Sequence, residues 1–164
     1  DQGIERYMTK TQKKTADFME GCMELGGLLG DWQESEIIEL KKYGHALGMA
    51  FQITDDIMDY RETTETTGKP VGNDLREGLL TYPLLSIVND GNKDKLLEDI
   101  KGLNNGGNEQ DIIDYVVAQG GIDNTLAVAD KYCKDALAAL AAVRDFPGKE
   151  FLVMAVENLA NRKV

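Results

Sequence analysis

Apolar residues recur at three- and four-residue steps through almost the whole chain. Ile4, Tyr7, Met8, Phe18, Met19, Cys22, Met23 and Leu25 follow that spacing across residues 4 to 29, which predicts an amphipathic helix. Gly26-Gly27 and Gly30 supply its stop. A second long helix is predicted over residues 35 to 61, with Ser35 as candidate N-cap. Gly44 and Gly48 fall on one stripe of it. Glycine there costs helix propensity, and the simplest compensation is close approach of another helix. Residues 62 to 74, Thr-rich and broken by glycine and proline, predict a loop. A helix restarts near residue 78, with Pro83 as a start or kink. Further helices are predicted over 93–101, 109–119, 122–144 and 148–161, separated by Asn104–Asn108, Gly120-Gly121 and Pro147-Gly148. No alternating strand pattern, internal repeat or linker interrupts the series. The expectation is an all-α helical bundle forming one domain over residues 1–164, with the helix of residues 35–61 near its centre.

That helix carries the most telling residues. Phe51-Gln52-Ile53-Thr54-Asp55-Asp56-Ile57-Met58-Asp59 sets three carboxylates among apolar neighbours. Asp55 and Asp59 are one turn apart, so their side chains meet on one face, and like charges so placed destabilise a helix. Charged groups are rarely buried unpaired. A hard divalent cation, which prefers oxygen ligands, meets the need. Asp56 points about 100° from Asp55 by helix geometry, which suits a group supporting the ligands rather than one on the ion. Further on, Gly68-Lys69-Pro70-Val71-Gly72-Asn73-Asp74 adds a lysine suited to phosphate, beside glycines that let backbone approach a ligand. Carboxylates, a divalent metal and a lysine together point to a diphosphate-handling site.

The pair FQ-x-x-DD-x-x-D and G-K-x-x-G-x-D resembles the second aspartate-rich region of the all-trans isoprenyl diphosphate (polyprenyl) synthases. Lys14-Thr15 resembles a third family element, and Glu77-Gly78-Leu79-Leu80-Thr81-Tyr82-Pro83 matches its E-G-x-x-T-x-P segment. The order of all four agrees with the family. The family's first aspartate-rich region, which lies upstream of Lys-Thr, has no counterpart in the thirteen residues before Lys14. The chain is therefore expected to be the C-terminal half of such a synthase, a helical bundle of the isoprenoid synthase type.

The resemblance implies a Mg²⁺-dependent prenyltransferase that condenses an allylic diphosphate with isopentenyl diphosphate. It makes Asp55 a direct Mg²⁺ ligand, with Asp59 ligating directly or through water and Asp56 in support. Lys14 and Lys69 contact diphosphate, Thr15 offers its hydroxyl or carbonyl to the cation, Gln52 lines the reaction cavity, and Asp74 anchors the loop or a metal-bound water. Leu79 departs from the short-chain members, many of which carry lysine there, and tilts the reading toward a hexaprenyl or heptaprenyl enzyme. Arg76 either compensates or is simply exposed. With half the site absent, the isolated chain is expected to be inactive, and to associate with itself or with a small partner subunit.

Plainer readings stand beside these. The carboxylates could be a solvated face, Gln52 an ordinary polar position, Lys69 a loop charge, and Lys10, Lys13 and Lys14 a solvated cluster. His45, the single histidine, reads as a satisfied core or interface residue. The chain could also be a non-catalytic helical subunit of a heteromeric synthase.

Composition narrows the classes further. A net charge of -11 argues against nucleic acid and against attraction to anionic lipid, whereas bound metal ions can invert the local field for a diphosphate. No apolar run is long enough to span a bilayer, and no secretory signal opens the chain. Cys22 and Cys133, far apart in sequence, are expected to be buried thiols of a reducing, cytoplasmic compartment.

Overall fold

The computed structural model describes residues 2–61, 72–103 and 105–162. Every element among them is helical. They are α1 (Gln2–Thr11), a π-helical segment (Gln12–Ala16), α2 (Asp17–Leu29), α3 (Glu34–Arg61), α4 (Asn73–Arg76), α5 (Tyr82–Leu85), α6 (Lys93–Leu103), α7 (Glu109–Ala118), α8 (Gly121–Ala141) and α9 (Lys149–Ala160). The all-α expectation holds. Ser35, however, lies inside the first turn of α3 and is not its cap. The Gln33 carbonyl accepts the first helical bonds, from the N–H groups of Glu36 at 2.9 Å and Ile37 at 3.0 Å. The expected restart near residue 78 is displaced to Tyr82. Pro83 occupies the first turn of α5 after an extended Thr81 (φ -98°, ψ 169°), since a proline ring further inside a helix would clash with the preceding turn.

The described residues fall into two compact units, one from residues 8–54 with 127–163, the other from residues 1–7 with 55–126. In the first unit, Tyr43, Ala46, Ala50, Cys133, Ala136, Leu140, Val156 and Leu159 form one buried cluster. The Tyr43 hydroxyl, pushed up to about 12 by burial, donates to the Leu152 carbonyl at 2.9 Å. Trp32 meets Phe146 edge-on at 4.9 Å and carries the Arg144 guanidinium 4.6 Å above its ring. The glycine stripe does what its spacing predicts. A Cβ on Gly44 would lie 2.6 Å from the Met19 carbonyl oxygen, and one on Gly48 would lie 2.6 Å from the Ala16 Cα. Rising along α3 thus means descending along α2 and the π segment, so the two run antiparallel with their backbones nearly touching.

The π segment alters the outward face of α2. The Asp17 N–H reaches back to the Gln12 carbonyl, a five-residue bond that inserts one residue into the helical register. Ala16, its last residue, and Gly27 beyond it are buried and Met19 and Met23 half-buried, while Phe18 is 73% and Leu25 55% exposed. Cys22 shares their exposed face, against expectation. Cys133 is buried as expected, and burial pushes its thiol up.

In the second unit, Ile57, Tyr60, Leu75, Leu84, Ile87, Leu96, Ile112, Ile113, Val116 and Ile122 make the core. Tyr60 and Thr81 join their hydroxyls at 3.2 Å within it. The Arg76 guanidinium pairs with the Glu109 carboxylate, tying α4 to α7.

Gly48→Ala should destabilise the chain by about 1–3 kcal/mol despite its better helix propensity, because backbone must move. Gly21→Ala, in open space, should stabilise it by about 0.5–1 kcal/mol. Urea midpoints of the two variants test the opposite signs. The Arg76 hydrogen bond holds the Glu109 carboxyl below its ordinary 4.5. A depressed carboxyl favours the folded state above that ordinary value, and the benefit is lost as pH falls through the folded value. Carboxyl NMR titration should find Glu109 depressed in the wild type and ordinary in Arg76→Ala.

Candidate functional site

Three carboxylates on one helix end in three different environments because α3 turns about 100° per residue. Asp55 is exposed, Asp56 is 6% exposed and Asp59 is half-buried. The neighbours Ile53 and Ile57 are fully buried, so the turn is anchored in apolar core. Phe51 stands 39% exposed on the same helix.

Asp59 is committed to the loop that returns to it. Its Oδ1 accepts the Asn73 N–H at 2.9 Å, and its Oδ2 accepts the Asp74 N–H at 3.0 Å. Its backbone carbonyl accepts the Gly72 N–H at 3.0 Å. Gly72 sits at φ 77° before α4, a conformation natural to glycine and strained for other residues. The G-x-D end of the loop motif is therefore held on α3 by three bonds to one residue. Burial pushes the Asp59 carboxyl up. The Asp74 amide bond opposes this, while the Asp74 charge adds to it. A cation would relieve both the burial cost and the like-charge contact. The oxygen-only donor set fits a hard ion such as Mg²⁺.

Asp56 turns inward. The Tyr7 hydroxyl of α1 donates to its Oδ2 at 2.5 Å, a buried bond between residues 49 apart in sequence. Tyr7 also lies against Tyr82, with ring centroids 5.7 Å apart. Nothing in the local sequence pattern singles out Tyr7. Only the pairing across the fold reveals it.

Two residues expected separately are brought together. The Thr15 hydroxyl donates to the Gln52 side-chain oxygen at 3.0 Å, one turn beyond the contact at Gly48. Thr15 belongs to the π segment, and π turns concentrate at functional sites. Lys14, its neighbour, is exposed, as are Lys10 and Lys13. Asp74 contributes its amide to Asp59 and accepts the Leu79 N–H on its carbonyl at 2.8 Å. The Arg76 guanidinium is occupied by Glu109. Lys69 lies outside the described residues, as does the Gly68–Val71 part of its loop.

His45 is half-buried, with Nδ1 3.4 Å from Glu20 Oε2. Asp17, Glu20 and His45 gather their ligand atoms within 4.8 Å, a cluster that sequence spacing does not announce. Lys41, 3.7 Å from Glu20 and 2.9 Å from Glu24, already supplies it with a positive charge. Among the described residues no helix is long and apolar enough to cross a membrane.

Comparison with known proteins places these motifs in context. The polyprenyl synthetase family model matches residues 1–119. Heptaprenyl diphosphate synthase component 2 of Geobacillus stearothermophilus is 31% identical over 84% of this chain and 43% of its own length. The crystal structure of heptaprenyl diphosphate synthase from Staphylococcus aureus superposes with a TM-score of 0.86 at 28% identity, covering 98% of this chain and 51% of that one. A polyprenyl synthase from Caulobacter crescentus, solved with calcium and isoprenyl diphosphate, gives a TM-score of 0.82 at 29% identity over 96% of this chain and 49% of its own. The chain spans about half the length of the curated relatives it matches. With its helical architecture, its ordered motifs and a family match over most of its residues, this chain belongs to the polyprenyl synthetase family.

Proposed function

We propose that residues 1–164 are the C-terminal half of a chain-elongating trans-polyprenyl diphosphate synthase domain, and that they carry its second Mg²⁺–diphosphate half-site. The observation that carries this reading is the division of labour on α3. Asp55 offers exposed carboxylate oxygens, Asp56 is buried on a hydroxyl donor, and Asp59 holds the motif loop through two backbone amides. A merely solvated acidic face would need neither the donor nor the loop.

In the complete enzyme, the carbon–oxygen bond of an allylic diphosphate breaks and pyrophosphate leaves. The double bond of isopentenyl diphosphate attacks the allylic cation, forming the new carbon–carbon bond, and a proton passes to the departing pyrophosphate. Asp55, with Asp59 and Asp56 in support, would hold Mg²⁺, which when bound would supply positive charge against the leaving group. Lys14 and Lys69 add cationic hydrogen-bond donors for diphosphate oxygens. Gln52 presents a neutral dipole to the cation without capturing it, and the Thr15 hydroxyl fixes the rotamer of that amide. Asp74 keeps the loop in place. The apolar helices exclude water, which would otherwise trap the cation.

Leu79 at the variable position supports a medium- or long-chain product of the hexaprenyl or heptaprenyl type. The relative named as a synthase component suggests a hetero-oligomer as an alternative to self-association. A non-catalytic subunit would not need the retained carboxylates and loop.

Calorimetry with inorganic pyrophosphate tests the reading. The chain should bind it only with Mg²⁺ present, and Asp55→Ala should weaken binding at least tenfold, about 1.4 kcal/mol. Equal affinity in the two proteins would contradict the assignment. Turnover of allylic and isopentenyl diphosphates by this chain alone should be absent.

A further inference from the structure

Asp56 is a carboxylate in the wrong place for a surface charge. It is 6% exposed, between the fully buried Ile53 and Ile57 on α3. A carboxylate so placed needs donors, since burying an uncompensated charge is costly. Tyr7 provides one at 2.5 Å, and is itself 7% exposed. That separation is in the range of a hydroxyl donating to an ionised carboxylate, the stronger class of hydrogen bond.

We propose that Tyr7 is a positioning residue for the metal site, acting through Asp56. This rests on the half-site reading above. The phenol fixes the Asp56 carboxylate, and with it the rotation of the α3 turn that presents Asp55. Donors behind a ligand set commonly matter this way: they hold orientation, and their loss costs metal affinity about 10–100-fold. Tyr7 is well held for the task. Its ring rests against Tyr82 at a 56° tilt, so the hydroxyl is aimed by packing rather than by a flexible side chain. The donor also arrives from α1, 49 residues away in sequence. The aspartate turn is thereby braced from outside its own helix, independently of the bonds that Asp59 makes to Asn73 and Asp74.

The test is calorimetric titration of the 164-residue chain with inorganic pyrophosphate at several Mg²⁺ concentrations. Wild type, Asp55→Ala, Tyr7→Phe, Asp56→Asn and the Tyr7→Phe/Asp56→Asn double variant are compared. Tyr7→Phe keeps the ring and its contact with Tyr82, so helicity by circular dichroism should match wild type. Its Mg²⁺-dependent affinity should fall about tenfold, and should recover in part at high Mg²⁺. The double variant should add little to the loss in Asp56→Asn alone, because a neutral amide already offers the phenol only a weaker acceptor. A purely structural tyrosine would not produce that coupling. Wild-type affinity in Tyr7→Phe alongside loss in Asp55→Ala overturns the proposal and leaves the half-site standing. So do effects of Tyr7→Phe and Asp56→Asn that multiply. If Tyr7→Phe loses helicity, Asp56→Asn carries the test, and wild-type affinity in that variant overturns the proposal equally. If wild type binds no pyrophosphate with Mg²⁺, the half-site reading falls and the proposal with it.

Discussion

A backbone-to-backbone approach at Gly48 fixes how α3 meets the π segment. With only hydrogen at that position, the Ala16 Cα comes close enough that a Cβ on Gly48 would stand 2.6 Å away. Side-chain packing cannot bring two helices that near. Thr15 of the π segment stands one residue before Ala16, and Gln52 stands one turn after Gly48 on α3. Their side chains join in a 3.0 Å hydrogen bond next to that approach. The π turn completes the arrangement. Its inserted residue puts Ala16 against Gly48, while Lys14 on the same short segment is exposed.

Beyond Gln52, α3 assigns different tasks to chemically identical groups. Helical rotation separates Asp55 from Asp56, one exposed and the other buried on Tyr7. Asp59 returns to the side of Asp55 but spends its carboxylate on the amides of Asn73 and Asp74. The chain's net charge of -11 would repel a diphosphate unless cations intervene, and burial together with Asp74 already presses the Asp59 carboxyl upward. The same carboxylates that make the chain acidic would thus bring in the ions that let it take an anionic ligand.

Much of this could be read from the residues in order. The helices are visible because apolar positions keep helical spacing, and Gly44 and Gly48 announce a close approach because nothing else explains two glycines in one stripe. Spacing finds Asp55 and Asp59 as neighbours. It does not find Tyr7 on Asp56, because a hydrogen bond across 49 residues leaves no local periodicity. Nor does it reveal that Asp59 caps the returning loop, since its amide partners are separated from it by 14 and 15 residues. Register is the other blind spot. Phe18 and Cys22 fit a buried helical stripe until the π turn rotates them outward, and no single residue type signals that extra residue. Ser35 looked like a cap by chemistry, yet the chain enters the helix earlier, on the Gln33 carbonyl.

On the proposed reading, the exposed carboxylate of Asp55 holds a divalent cation while Asp59 keeps the loop. Anomalous diffraction from crystals of the chain grown with Mn²⁺ and pyrophosphate tests it directly. A metal peak is expected on Asp55, with the Asn73 and Asp74 amides still bonded to Asp59. A peak confined to Asp17, Glu20 and His45, or none at Asp55 with pyrophosphate bound elsewhere, would contradict it.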